Sequence, residues 1–140
     1  MQRDKLNMDR RDLAKAAFLG AAMAALPAMS RAQAASADEN LVFTADDPGH
    51  WGDAVKAKHV PVATVSGSTL TVTTPHVMTP AHYIVSHSVV LAGGQYLGRR
   101  TFTPADMPTS TYTLPDGYKG KVTVTSTCNL HDFWVSSLTV

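Results

Sequence analysis

Cysteine is almost absent from this chain: Cys128 is the only one among 140 residues, so no disulfide can form within it. A basic excess is missing too. Residues 1–34 hold six of the twelve Lys and Arg and three of the eleven acids, and residues 35–140 carry six basic against eight acidic groups, a formal charge of −2. That excludes the strongly basic face of a nucleic-acid-binding protein. Long apolar runs are confined to one place, from Ala16 to about Met29, and nothing after it approaches the roughly 20 residues needed to span a bilayer. Beyond that alanine-rich stretch there is no low-complexity segment, no internal repeat and no apolar pattern with a 3.6-residue period, so an all-helical fold is excluded.

What is present begins with an address. Asp9-Arg10-Arg11-Asp12-Leu13-Ala14-Lys15 sets paired arginines before the apolar run, and Ala32-Gln33-Ala34 is a small-residue cleavage site. This is the layout of a twin-arginine export signal, which in bacteria carries folded proteins across the inner membrane. Asp9 stands where such signals usually have Ser or Thr, and Leu13 where they usually have Phe. The expected division is a signal peptide at 1–34 and one domain at 35–140, soluble and periplasmic after cleavage. An exported domain with an unpaired thiol needs that thiol occupied. Metal ligation would occupy it, and export in the folded state would allow the metal to be loaded beforehand.

The remainder is a series of short Val- and Thr-rich segments broken by turn signals. Strands are predicted at 41–44, 60–65, 69–73, 82–91, 96–102, 111–114, 121–127 and 134–139, with a loop at 46–52. Ser66-Gly67-Ser68 is a hairpin signature, and Gly93-Gly94, the prolines at 104 and 108, and Pro115-Asp116-Gly117 are the other breakers. Leu70 and Val72, and again Val122 and Val124, alternate with threonines as half-buried strands do. The pattern predicts an all-β fold, an immunoglobulin-like antiparallel β-sandwich of about seven strands.

The chemistry gathers around Cys128-Asn129-Leu130-His131, which places a soft thiolate three residues from an imidazole. Two donors cannot close a metal's coordination sphere. Lys58-His59-Val60-Pro61 and the segment from His76 to Ile84, with His76 and His82 six apart, offer the rest. Singly, each histidine is most simply a surface or satisfied core residue, and Cys128 a small buried hydrophobe. Their combination is much more specific.

With its surroundings, that combination resembles the superoxide reductase family, the desulfoferrodoxins and neelaredoxins. The pieces are Lys-His-Val-Pro-Val at 58–62, His-x-Met-Thr-Pro-x-His-Tyr-Ile at 76–84, Gly98-Arg99-Arg100-x-Phe102, Lys119-Gly120-Lys121 and Cys-Asn-Leu-His-x-x-Trp at 128–134. The resemblance implies one mononuclear iron per chain, cycling between Fe(II) and Fe(III), with His59, His76, His82 and His131 as imidazole ligands and Cys128 as the thiolate. It implies one-electron reduction of superoxide to hydrogen peroxide, with Lys58 attracting the anion and helping to deliver a proton. An external electron donor, a small redox protein, follows from the same resemblance, and a homo-oligomer is left open. Three positions depart from the family pattern. Ala57 replaces the usual Glu, which leaves solvent or an anion for the sixth position of the ferric site. Val77 stands where Pro is common, and Asp132 where Gly usually follows the last histidine. His50 and His87 have no family role and are read as loop and strand residues; Trp51, Trp134 and Met78 are read as packing. Two alternatives come from other classes. A blue-copper protein would require a Met after His131, which the sequence lacks; a sensor or carrier that keeps the iron would differ in turnover alone.

Overall fold

The computed structural model describes residues 41–140. The expected signal peptide at 1–34, and its boundary with the domain, lie outside the described residues. No helix among those described is long and apolar enough to cross a membrane.

Eight strands form two sheets: β1 (Val42–Phe43), β2 (Val62–Ser66), β3 (Thr69–Thr73), β4 (Ile84–Leu91), β5 (Tyr96–Thr101), β6 (Thr109–Thr113), β7 (Lys121–Cys128) and β8 (Phe133–Thr139). The larger sheet runs β1-β8-β7-β4-β5 and the smaller β2-β3-β6. All pairings are antiparallel except the two-residue contact of β1 with β8, which is parallel. The all-β sandwich expected from the sequence is therefore the architecture, and the predicted strands recur within two residues at their ends.

The Val/Thr alternation is what builds it, because β-branched side chains suit a pleated surface with one face buried. Leu70 and Val72 of the smaller sheet meet Val89, Leu91, Val122 and Val124 of the larger in one buried cluster. At about 1.5–3 kcal/mol per fully buried aliphatic side chain, this cluster holds the sheets together. The strand ends are thereby left to polar residues. Gly67, at φ +58°, makes the tight β2–β3 connection that a residue with a Cβ would strain.

Strand β7 shows how the fold leads to the site. Its buried positions are Val122, Val124, Ser126 and Cys128: two valines fill the core, and the same period of two delivers a hydroxyl and then the thiol. Strand β4 carries a register shift between Ile84 and Ser86. This bulge moves the inward face from the even to the odd positions, so His87, Val89 and Leu91 all point inside.

One element was not expected. Residues 46–52 are read as a loop from sequence, yet helix α1 (Gly52–His59) begins at the end of that stretch. Val55 is its only large aliphatic residue, so no apolar stripe announces it. The helix draws on the propensity of its Ala and Lys residues and on Asp53 in its first turn, which pairs with Lys56 at 2.6 Å. The extended Val60 before Pro61 ends it.

Candidate metal centre

Four segments meet at one end of the sandwich. Helix α1 brings His59 in its last turn, and His59 is 2% exposed. Its Nδ1 lies 2.7 Å from the Val55 carbonyl. Only a protonated Nδ1 can make that bond, so the lone pair sits on Nε2. His76 and His82 come from the connection between β3 and β4. There Thr79 and His82 exchange backbone hydrogen bonds of 2.9 and 3.1 Å, and the Thr79 hydroxyl accepts from the His82 N–H at 3.1 Å. Cys128 ends β7, and His131 lies in the turn that follows.

The inward nitrogens form a chain of near contacts. His76 Nε2 and His82 Nε2 are 3.0 Å apart, His82 Nε2 and His131 Nδ1 2.9 Å, and His131 Nδ1 and His59 Nε2 3.0 Å. Cys128 Sγ lies 3.6 Å from His131 Nδ1. His59, His76, His82 and Cys128 place their donor atoms within 4.8 Å of one another. All five residues singled out by sequence as ligands are thus brought together. Two imidazole nitrogens that share one ion at about 2.1 Å each lie no more than about 4.2 Å apart, and each of these three neighbouring pairs is well inside that limit. His131 Nδ1 faces three neighbours and can share at most one proton with them. The donor set fits a cation.

Electrostatics point the same way. Burial pushes the His59 pKa down to about 4, against the opposing Val55 bond and with help from the neighbouring imidazoles. His76 and His131 are also lowered, by burial first and then by His82. These rings are neutral at pH 7, the state in which imidazole binds a metal. Burial raises the Cys128 thiol, while backbone N–H groups, Leu130 first, act against it. The Leu130 N–H lies 3.5 Å from Sγ, the kind of contact that tunes a metal-bound sulfur.

Asn129 has a part that sequence reasoning did not give it. Its Oδ1 accepts the Tyr83 N–H at 2.9 Å, its Nδ2 donates to the Ala81 carbonyl at 2.9 Å, and its backbone N–H donates to the Tyr83 carbonyl at 3.2 Å. These bonds bracket His82 and tie its loop to the Cys128 turn. The only signal was its place between Cys128 and His131.

The remaining candidates divide. Lys58 is exposed at the end of α1 and near enough to His76 for its charge to lower that imidazole. Ala57, also exposed, has no donor atom to offer. Trp51 stands edge-on to His131 at 4.6 Å, and the buried Trp134 donates its Nε1–H to the His131 carbonyl at 2.7 Å. Met78 packs beside Ile84, Phe102 and Cys128, and its sulfur accepts the Ile84 N–H at 3.3 Å. Neither His50 nor His87 belongs to the cluster.

Fold and site together define an all-β protein with a four-imidazole, one-thiolate cluster suited to a single metal ion. The family model described as desulfoferrodoxin matches residues 51–137, a span containing all five of those residues. The chain belongs to the desulfoferrodoxin family. Among solved structures it is similar to a superoxide reductase (neelaredoxin) from Ignicoccus hospitalis, with 26% identity over 71% of this chain and 94% of that one and a TM-score of 0.62. It is similar to the superoxide reductase from Treponema pallidum, with 29% identity over 60% and 69% of the two chains and a TM-score of 0.51. A superoxide reductase (1Fe-SOR) from Giardia intestinalis gives 25% identity over 61% of this chain and 100% of that one, with a TM-score of 0.53. No curated protein sequence matches significantly.

Proposed function

We propose that the chain is a one-iron superoxide reductase, in which one superoxide, one electron and two protons give one hydrogen peroxide. The observation that carries this reading is the set of imidazole nitrogens 2.9–3.0 Å apart beside a buried thiol, on a desulfoferrodoxin-family fold. His59, His76, His82, His131 and Cys128 hold the iron. Bound there, the iron supplies the electron. The protein's own part is to keep His59, His76 and His131 neutral, to present a thiolate from the interior against Ile84 and Phe102, and to bring the anion in. Lys58 does the last of these, since a cation beside the site raises the local concentration of superoxide and sits within reach of a proton relay through water. A small external redox protein returns the electron.

The test is peroxide yield with a stoichiometric amount of iron-loaded, pre-reduced protein. One peroxide per superoxide is expected, with the iron oxidised in step. One per two superoxides would mean dismutation, and no acceleration would leave a metal carrier or sensor. In the same assay Lys58→Ala is expected to slow the reaction about 10-fold at low ionic strength and to flatten its salt dependence; wild-type rates at low salt would remove Lys58 from its role.

The export reading extends this proposal. Arg10-Arg11 before the apolar run supports twin-arginine transport to the periplasm, with maturation near residue 34. Replacing both arginines with lysine is expected to keep the precursor in the cytoplasm, and unchanged periplasmic recovery would refute the route.

A further inference from the structure

The turn after Cys128 passes through Asp132 at φ +61°, the only positive φ among the described non-glycine residues. Glycine adopts this backbone freely, whereas Asp holds it at some cost. The side chain makes a contact that glycine cannot. Asp132 Oδ2 accepts the Trp51 Nε1–H at 3.1 Å, across 81 positions of sequence. The same indole stands edge-on to the His131 imidazole, with centroids 4.6 Å apart and planes at 88°. The Asp132 carbonyl accepts the Cys128 N–H at 3.0 Å and closes the turn in which His131 sits. Trp51 immediately precedes α1, which ends in His59. One hydrogen bond therefore joins the segment that carries His59 to the segment that carries Cys128 and His131.

We propose that Trp51 and Asp132 form a latch that holds His131 in the cluster and slows escape of the metal. They are positioning residues: neither is a ligand, and both act through His131. The proposal rests on reading the cluster as an iron site. Orientation of a ligating imidazole by a partner outside the coordination sphere is worth about 10–100-fold in metal affinity or activity, and the latch makes a loss of that order readable as metal release.

The test loads the full mature protein with iron, adds excess chelator and follows the chelate's absorbance. Trp51→Phe keeps a ring against His131 and removes the N–H. Asp132→Gly removes the acceptor and suits the backbone, while Asp132→Asn keeps an acceptor oxygen and tolerance of positive φ without the charge. Release about 10-fold faster is expected for Trp51→Phe and for Asp132→Gly. The double variant should be no faster than either single, because both break the same bond. Asp132→Asn should release iron at the wild-type rate, a rescue that separates the hydrogen bond from the carboxylate's charge. Wild-type release in Trp51→Phe and Asp132→Gly overturns the latch, as does an additive double variant. Fast release from Asp132→Asn also overturns it, by transferring the effect to charge. A wild-type protein that retains no iron defeats the reading of the site, and the latch with it.

Discussion

Cys128→Ser is expected to fold like the wild type and to lose at least ~100-fold of its rate of superoxide reduction. The reason to expect an intact fold is local. Cys128 is an inward position of β7, packed against Ile84, Phe102 and Met78, and serine replaces sulfur with a smaller atom in the same direction. The reason to expect a large functional loss is electronic. A thiolate donates charge to the metal and selects soft, redox-active ions, whereas a serine hydroxyl stays protonated and binds weakly. Losing a partner outside the coordination sphere costs about 10–100-fold, so losing the ligand itself should exceed that range. A second readout is independent of turnover. Burial holds the Cys128 thiol above its usual pKa, so it carries its proton at pH 7 until a metal displaces it. His59, His76 and His131 have lowered pKa values and are neutral already. Iron binding at pH 7 should therefore release about one more proton per chain from the wild type than from Cys128→Ser, measured with an indicator dye in weak buffer. Equal proton release, or wild-type rates in the variant, would remove Cys128 from the ligand set.

Much of this was legible because the information is local. The alternation of Val and Thr in β3 and β7 marks strands whatever their partners are, and the five metal-binding candidates announce themselves by residue type and spacing. Helix α1 was not legible, because its eight residues bury no aliphatic stripe and are held by the packing of Trp51 and His59 at its ends. The clamp made by Asn129 and the bond from Trp51 to Asp132 were hidden for a different reason. Each joins positions dozens of residues apart, and nothing in a linear pattern says which polar side chain will meet which backbone group. His87 is the clearest case. Strict alternation from Ile84 puts it on the opposite face, and only the bulge between Ile84 and Ser86 turns it inward.

That turn has a measurable consequence in acid. His87 is fully buried between the sheets, opposite Ser126 in the β4–β7 register. The Thr74 hydroxyl donates to Ser126 Oγ at 2.8 Å, so its oxygen is free to accept from His87 Nε2–H, also at 2.8 Å. Nδ1 then accepts the Ser110 hydroxyl at 2.9 Å. Each polar atom in this chain is satisfied with the ring neutral, and a second ring proton would require the Ser110 hydroxyl to turn from donor to acceptor and would place an unpaired charge in the core. Burial accordingly lowers the His87 pKa from 6.5 to about 4. In the unfolded chain the ring takes up a proton near pH 6.5, whereas the folded protein refuses it until about pH 4. The contribution is therefore complete above pH 6.5, is lost as pH falls through the interval between the two values, and changes no further below pH 4. It amounts to about 3 kcal/mol in all, of which about 2 kcal/mol falls between pH 7 and pH 5. His87→Gln keeps a donor and an acceptor at this position but does not titrate. Urea unfolding of the two metal-free proteins isolates the term, because every other titrating group is shared and cancels in the difference. Wild type should lose about 2 kcal/mol relative to His87→Gln between pH 7 and pH 5. Parallel pH profiles would show that the ring is protonated, or reached by water, inside the folded protein.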